Sequence, residues 1–184
     1  EISWKTIDTF FNDNNHILVK HHIDSYNNFF STGIQEIFKD RNPIRFFKEI
    51  DSETQEYKYE CELYLGGINS DKIYYGKPII YDETENDISR AHYMYPNEAR
   101  LRNMTYGFTI HYDVDVKFKI LIEKNDGSTG LDKFHIHEET IELEKIYLGR
   151  FPIMLQSNMC LLKGLEPNAR FYMGECKNDP GGYF

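Results

Sequence analysis

Cysteine is scarce in the chain, and the few cysteines form no paired motif. The 184 residues include three, Cys61, Cys160 and Cys176, an odd number without C-x-x-C spacing. Neither a disulfide framework nor a zinc cage is therefore expected, and this usage predicts an intracellular protein. A Gly-rich phosphate loop and the G-x-S-x-G motif of serine hydrolases are also missing. The sequence thus offers no self-contained active site.

Long apolar runs and positive charge are scarce as well. No stretch approaches the roughly 18 to 20 apolar residues that a membrane span requires, and no signal peptide is visible. We therefore expect no membrane partner. Lys and Arg number 21 against 30 Asp and Glu, giving a formal net charge of −9. This balance argues against a free-standing nucleic-acid-binding domain, because neutralising phosphates needs clustered basic residues. A basic strip on one face of a larger assembly is still compatible with it.

Aromatic residues, in contrast, are abundant. The chain has 13 Phe and 14 Tyr, and 40% of its residues are hydrophobic. This composition predicts a folded body, either one domain or one domain with an arm. The chain begins at Glu1 and ends on the apolar pair Tyr183-Phe184. We therefore expect a piece of a longer protein, which would expose an apolar patch when isolated.

Helical periodicity predicts an N-terminal helical arm over residues 1–43. Ser3 is a candidate N-cap for a first helix. A second helix is predicted from apolar residues spaced three or four apart over about five turns. Those residues are Val19, Ile23, Tyr26, Phe30, Ile34 and Ile37. Gly33 is expected to bend or interrupt this helix, and Asn42-Pro43 to end it.

The remaining residues, 44–184, are predicted to form a domain built mainly from antiparallel strands. Alternation of apolar and polar residues predicts strands at 57–65 and 114–122, and a shorter edge strand at 73–80. A longer strand, or two short ones, is predicted over 134–148, with a bulge between Leu143 and Ile146. Acidic residues 82–87 predict a solvated loop, 125–130 a turn, and Pro96 the start of a short helix. The predicted fold class is α+β.

Two groups of residues resemble metal ligands, although each has a simpler interpretation. His135 and His137 would share one face of a strand, with His111 as a third ligand. Phe134 and Ile136 would then face the core, so the two histidines would face solvent. Asp113 and Asp115 could present carboxylates to Mg²⁺, or simply form the polar face of a strand whose valines are buried.

Two arginines flank Leu101 in the short helix predicted after Pro96. Residues two apart on a helix point about 200° apart, so Arg100 and Arg102 cannot serve one site through the same face. Arg102 stands four residues after Glu98, the spacing of a helical ion pair, whereas Arg100 has no such local partner. Leu101 and Met104 are expected to anchor the helix to the sheet. Structural pairing and nucleic-acid contact both stay open for the two arginines.

Five segments in a fixed order span nearly the whole chain and carry a family resemblance. They are SW-x-x-I-D-x-F-F from Ser3, HHIDSYNNFF (His21 to Phe30), YPNEARLRNMTYG (Tyr95 to Gly107), LGRFPIMLQSNMCLL (Leu148 to Leu162) and GECKNDPGGYF (Gly174 to Phe184). The sequence resembles the N-terminal part of the second-largest subunit of multisubunit DNA-directed RNA polymerases. The motifs around Arg100 and Arg150 are long and specific.

The resemblance implies that residues 44–184 are an incomplete version of the protrusion, a domain on one wall of the DNA cleft that later sequence completes. It implies no catalytic residue and no metal in this segment, although the complete polymerase, a nucleotidyltransferase, would need Mg²⁺. The implied partners are the largest subunit, smaller subunits, template DNA and the RNA–DNA hybrid. The candidates for nucleic-acid contact are Arg100, Arg102 and Lys163.

Two departures and two alternatives accompany the resemblance. Gln156, Ser157 and Asn158 stand where the family commonly has basic residues, which argues against a phosphate contact by that loop. Divergent loops hint at a viral or otherwise outlying member. The expected location is the nucleus for a cellular eukaryotic polymerase, and the cytoplasm or virion for a viral one. The alternatives are a small metal-dependent hydrolase using His111, His135 and His137, and a protein-interaction module.

Overall fold

A computed structural model describes residues 2–13, 16–82, 90–124 and 130–184, and has helices followed by mostly antiparallel strands. The helices are α1 (Ile2–Asp13), α2 (Lys20–Asn28), α3 (Ile34–Arg41), α4 (Pro96–Leu101) and α5 (Pro167–Tyr172). The strands are β1 (Ile44–Ile50), β2 (Tyr57–Leu65), β3 (Ile73–Tyr75), β4 (Ile79–Asp82), β5 (Arg90–Tyr93), β6 (Gly107–Glu123) and β7 (Phe134–Pro152). The predicted α+β class is confirmed. None of the described helices is long and apolar enough to cross a membrane.

The strands form one five-stranded sheet and a separate two-stranded ribbon. In the larger sheet the order is β1-β2-β6-β3, and β7 also pairs with β6. β1 and β2 are antiparallel with Ile44 opposite Leu63, and β2 and β6 are antiparallel with Leu63 opposite Val116. The ribbon joins β4 and β5, with Ile80 opposite His92.

Contacts group the chain into two compact units. The first contains Glu1–Gly33, Tyr75–Ile110 and Gly149–Phe184, and the second contains Ile34–Tyr74 and His111–Leu148. The helical arm predicted over residues 1–43 contributes residues to both units. Its status as a domain separate from residues 44–184 stays a prediction.

An aromatic cluster around Phe30 forms part of the core of the first unit. Its ring lies 5.2 Å from that of Phe108 and 6.0 Å from that of Phe151, both in edge-on geometry, an arrangement that aromatic quadrupoles favour. Ile23 of α2 is also buried. Ile23 and Phe30, two members of the apolar helical pattern, thus lie in the core. In contrast, Trp4 in α1 is 71% exposed.

The single long helix predicted from Val19 to Ile37 is interrupted in the structure. A π-helical turn, Phe29–Gly33, separates α2 from α3. The turn frees a backbone acceptor, and the Tyr75 hydroxyl donates a 2.6 Å hydrogen bond to the carbonyl of Phe30. Apolar spacing alone could not locate this turn, because it changes the hydrogen-bond ladder by one residue. The interruption predicted at Gly33 is confirmed.

The second unit consists of α3 and most of the larger sheet. Phe38 of α3 is buried, and its ring lies 5.3 Å from that of Tyr112 in β6. Next to the Phe38 ring the chain turns sharply at Gly66, whose φ is +71°. A Cβ added to Gly66 would lie 2.9 Å from that ring. Glycine is therefore required at this turn both for its backbone angle and for close approach.

Several strand predictions need correction. The strand predicted at 73–80 is two strands, β3 and β4, which belong to different sheets. The break falls at Gly76 and Pro78: the Gly76 N–H donates to Thr109, and Pro78 has no N–H to donate. The prediction that Ile136 faces the core is wrong, since its side chain is 52% exposed while Phe134 is buried. The two residues lie near the end of the sheet, where the packing that covers Phe134 does not reach Ile136.

Other predicted elements agree with the structure. The strand at 57–65 and the helix beginning at Pro96 are confirmed, and the strand at 114–122 lies within the longer β6. β7 is one continuous strand, and the predicted irregularity falls at Lys145, whose φ is +51°. Most of the acidic loop at 82–87 and of the turn at 125–130 lies outside the described residues. The predictions contained no counterpart of β1, β5 or α5.

One face of the sheet in the second unit carries exposed apolar side chains. Phe46 pairs with Cys61, and Tyr59 pairs with Ile120, so these residues share a face with Ile122. The exposed fractions are 55% for Phe46, 43% for Tyr59 and 50% for Ile122. We call Phe46, Tyr59 and Ile122 the open face.

Candidate nucleic-acid interface

Helix α4, which carries the two arginines, is fixed at its beginning by proline and at its end by a tight turn. Tyr95 is extended, and Pro96 occupies the first helical turn, where a missing N–H costs nothing. Asn103, with φ of +54°, ends the helix, and the Met104 N–H donates to the Ala99 carbonyl. Ala99 is the buried residue of the helix, at 2% exposure.

The beginning of α4 is held by a segment near the end of the chain. The Asn97 N–H donates a 2.9 Å hydrogen bond to Glu175 Oε1, and its side-chain amide donates one of the same length to the Gly174 carbonyl. A carboxylate suits this position, because the first N–H groups of a helix have no partner within it. The pairing of Asn97 with Glu175 could not be predicted from the sequence, since a contact across 78 residues leaves no local pattern.

The predicted pairing of Arg102 with Glu98 is confirmed. Arg102 Nη2 lies 3.0 Å from Glu98 Oε1, and His92 Nε2 lies 3.0 Å from the same oxygen. Arg102 is 46% exposed, so solvent screening limits such a pair to a few tenths of a kcal/mol. Arg102 therefore has a structural explanation.

Arg100 has a different environment on the other side of α4. Its Nη2 donates a 2.7 Å hydrogen bond to Asn97 Oδ1, a neutral acceptor that leaves the positive charge unbalanced. Its side chain is exposed, and it forms no ion pair with a carboxylate in the described part of the chain. The remaining guanidinium donors can therefore reach an external anion. The predicted separation of the two arginines onto different partners is confirmed.

The expectation that Leu101 and Met104 anchor α4 is wrong. Leu101 is 76% exposed, and Met104 is 39% exposed. The anchor is instead Ala99 together with the backbone bonds of Asn97, because a six-residue helix buries only a narrow stripe. Leu101 thus lies on the exposed surface between the two arginines.

A pocket of about 600 Å³ lies beside Arg100 in the first unit. Its walls include apolar residues of α4 and of the final segment, and its polar members include Arg100 and the carboxylates Glu175 and Asp179. Burial and a hydrogen bond to the Asp179 carboxylate raise the pKa of Tyr183 to about 12. Tyr183 is thus a neutral donor to Asp179, and the negative charge in this pocket comes from Asp179 and Glu175.

Lys163, the third predicted contact residue, lies in a loop of the same unit. Its side chain is exposed, and its ammonium group donates to Asn158 Oδ1. Asn158 is itself held against α2, because its backbone N–H donates a 2.8 Å hydrogen bond to Asn27 Oδ1. Lys163, like Arg100, is thus held by a neutral acceptor.

Comparison with known proteins identifies the family. A family model described as RNA polymerase beta subunit matches residues 17–184. The chain is 34% identical over its whole length to DNA-directed RNA polymerase II subunit RPB2 of Meyerozyma guilliermondii, covering 14% of that protein. It is 36% identical over 99% of its length to DNA-directed RNA polymerase subunit Rpo2N of Methanothermobacter thermautotrophicus, covering 28% of it. The chain belongs to the RNA polymerase beta subunit family. The chain spans less than a third of the length of each of these two relatives.

The loop after the PIML motif is partly buried in this chain. Gln156 is only 5% exposed and has a φ of +67°. Its Oε1 accepts a 3.3 Å hydrogen bond from Nη2 of Arg170, which is also buried. A side chain at position 156 therefore points into the protein and would not meet a phosphate there. Asn158, in the same loop, accepts a hydrogen bond from the Lys163 ammonium group.

The aspartates of β6 are structural in this family member. As expected, Val114 and Val116 are buried and the aspartates form the polar face of the strand. That face is also covered, since Asp113 is 3% exposed and Asp115 is 7% exposed. Asp113 accepts 2.8 Å hydrogen bonds from the Lys145 N–H and the Tyr74 hydroxyl, and Asp115 accepts one from the Ile68 N–H. Burial raises the pKa of Asp113, but these two donors outweigh it, and the pKa lies below its ordinary value.

The histidines give no support to a hydrolase. His135 and His137 are exposed, and the His111 ring lies against Tyr147 at 5.5 Å. Within the described ranges, no three His, Cys, Asp or Glu residues are arranged to hold one metal ion. The family membership likewise offers no support for that alternative.

Proposed function

We propose that the chain forms part of one wall of the DNA cleft in a DNA-directed RNA polymerase, in the position of the protrusion, and takes no part in the chemical step. The observation that carries the proposal is the match of the whole chain to second-largest polymerase subunits from a yeast and an archaeon. Residues 44–184 would be the protrusion-like part, and residues 1–43 an arm. Mg²⁺ would be required by the complete nucleotidyltransferase and held elsewhere in it.

The distribution of charge supports a nucleic-acid-facing first unit. That unit has 12 acidic and 10 basic residues, whereas the second has 18 acidic and 11 basic residues. Most of the net charge of −9 therefore belongs to the second unit. Arg100, Arg102 and Lys163 all lie in the first unit. The overall negative charge thus does not oppose local contact with phosphates.

Within the first unit, Arg100 is the residue that we propose touches nucleic acid. It is exposed, carries an unbalanced charge and lies beside a pocket. An arginine of this kind neutralises a phosphate and releases its counterion, a contribution that does not depend on base sequence. Lys163 would act in the same way, and Arg102 would contribute less because Glu98 already pairs with it.

The partners would be the largest subunit, smaller subunits, template DNA and the RNA–DNA hybrid. The open face formed by Phe46, Tyr59 and Ile122 favours an additional role as a protein-interaction surface, which is compatible with the first role. The protein would act where its polymerase acts: the nucleus for a cellular eukaryotic enzyme, and the cytoplasm or virion for a viral one.

The test compares Arg100→Ala with Arg102→Ala in the full-length subunit of an assembled polymerase. DNA affinity is measured as a function of salt concentration. We expect Arg100→Ala to weaken binding about equally for different DNA sequences and to lower the magnitude of the salt slope by roughly one unit. Arg102→Ala is the matched control and should leave the slope near that of the wild type. Equal slopes for all three proteins would make Arg100 a structural residue.

A further inference from the structure

Strand β7 lies at an edge of the larger sheet in the second unit. One side of β6 is occupied by β2, and Asp113 of β6 also donates its N–H to the Lys72 carbonyl next to β3. The opposite side of β6 pairs with β7. Just beyond the end of β6, the Lys124 N–H donates a hydrogen bond to the Lys133 carbonyl, which directly precedes β7. No other strand in the described part of the chain pairs with β7.

The outer edge of β7 offers a row of backbone groups. Hydrogen-bonding groups of successive residues point to opposite sides of a strand, and the Lys133 carbonyl points to β6. The N–H groups of Ile136, Glu138, Thr140 and Glu142 therefore point away from β6. Residues 135–145 are all exposed and contain no proline. An open edge of this length is a template for another strand.

The two faces of β7 differ in chemistry. Glu138 and Glu144 lie on one face and have no ion-pair partner among the described residues, whereas Glu142 on that face pairs with Lys72. Ile141 and Leu143 lie on the opposite face and are 42% and 46% exposed. A strand added beside β7 would place its own side chains next to carboxylates on one face and next to apolar groups on the other.

We propose that the edge of β7 over residues 135–145 binds an extended segment of a neighbouring polymerase polypeptide, in which Lys or Arg alternates with apolar residues. The inference rests on the proposed function, which supplies the polymerase. Main-chain hydrogen bonds would provide the attachment, and the alternating side chains its specificity. A second copy of β7 fits poorly, because antiparallel pairing of two such edges would bring glutamates next to glutamates.

The test measures amide hydrogen exchange of β7 in the assembled polymerase and in the isolated full-length subunit. The outward N–H groups of Ile136, Glu138, Thr140 and Glu142 should exchange at least about tenfold more slowly in the polymerase, because an added strand bonds them. Fast exchange of these amides in the assembled enzyme overturns the inference and leaves the proposed function intact. Equally slow exchange in the isolated full-length subunit also overturns it, because the added strand would then belong to the same polypeptide. Failure of the subunit to assemble into a polymerase overturns both.

A charge reversal tests the nature of the bound strand. The double variant Glu138→Lys/Glu144→Lys should raise exchange of the outward amides about tenfold in the polymerase, since two attractive pairs become repulsive. The control is Glu36→Lys/Asp40→Lys on the exposed surface of α3, which changes net charge by the same amount. The control should leave β7 exchange unchanged. Protection that is insensitive to the β7 reversal would exclude a basic partner strand and overturn the inference.

Discussion

At the scale of single residues, the buried carboxylate of Asp113 shows how a pattern typical of metal sites can serve the backbone instead. Its two oxygens accept hydrogen bonds from the Lys145 N–H, at the irregular point of β7, and from Tyr74. The positive φ of Lys145 breaks the regular strand geometry there, and the Asp113 side chain provides its N–H with a partner. A hydrogen bond to a charged carboxylate is stronger than one to a neutral group, so this contact stabilises the irregularity.

Asp113→Asn should destabilise the second unit by about 1–3 kcal/mol near neutral pH, because two hydrogen bonds to a charged carboxylate become weaker bonds to a neutral amide. The pKa of Asp113 is lowered in the folded state, below the ordinary value of about 3.9 for an unfolded chain. Its contribution is therefore complete above about pH 4 and is lost as pH falls through the folded pKa. Urea unfolding from pH 3 to pH 7 measures the free-energy difference between wild type and variant.

The control for that experiment is Asp71→Asn, an exposed aspartate of the same unit. Asp51, Glu62 and Glu123 also have lowered pKa values, and their contribution is common to wild type and both variants. The difference between wild type and Asp113→Asn should therefore shrink as the pH falls below about 4. A difference that stays constant over this range would mean that the charge of Asp113 is unimportant.

At the scale of elements, glycine at the beginning of β6 allows close approach to the neighbouring strand. Gly107 begins β6, and a Cβ there would lie 2.6 Å from the Phe151 carbonyl oxygen in β7. Because the obstacle is backbone, it cannot turn aside as a flexible side chain could. Gly149, also in β7, has ordinary space around it, with the nearest contact at 3.6 Å.

Gly107→Ala should lower the free energy of unfolding of the first unit by about 1–3 kcal/mol, because the two strands must separate to admit the methyl group. Gly149→Ala is the matched control and should change stability by less than about 1 kcal/mol. Chemical denaturation of both variants beside the wild type provides the measurement. Equal stabilities for the two alanine variants would show that the strands adjust freely at Gly107.

The elements also show why some of the fold could be predicted from the sequence and some could not. The 57–65 strand and the helix after Pro96 depend on local alternation and on a proline at a fixed position, which are visible in the sequence. β1 was missed because its residues are mostly exposed, so Arg45, Phe46 and Phe47 show no alternation. The contact of Asn97 with Glu175 depends on residues distant in sequence. Arg100 could be singled out because Arg102 has an acidic partner one helical turn away and Arg100 has none, but its neutral partner Asn97 was not foreseen.

At the scale of the whole molecule, each unit has a different kind of surface. In the first unit, Arg100 and Lys163 are exposed cations held by neutral acceptors. In the second unit, the open face presents aromatic and aliphatic groups, and α3 covers Tyr112 on the same sheet. Exposed apolar surface of this kind usually marks an interface. The nucleic-acid contact and the protein contact that we propose thus fall on different units, whose surfaces differ in chemistry.

The open face leads to a prediction for the isolated 184-residue chain. Burying each large apolar side chain contributes on the order of 1.5–3 kcal/mol, so Phe46, Tyr59 and Ile122 together favour self-association in water. Light scattering should detect oligomers, and an apolar dye should bind. The variant Phe46→Lys/Tyr59→Lys should be largely monomeric with less dye bound. Tyr81→Lys, at an aromatic residue 68% exposed in the first unit, should behave like the wild type. A monodisperse wild-type monomer that binds no dye would contradict the interface assigned to the open face.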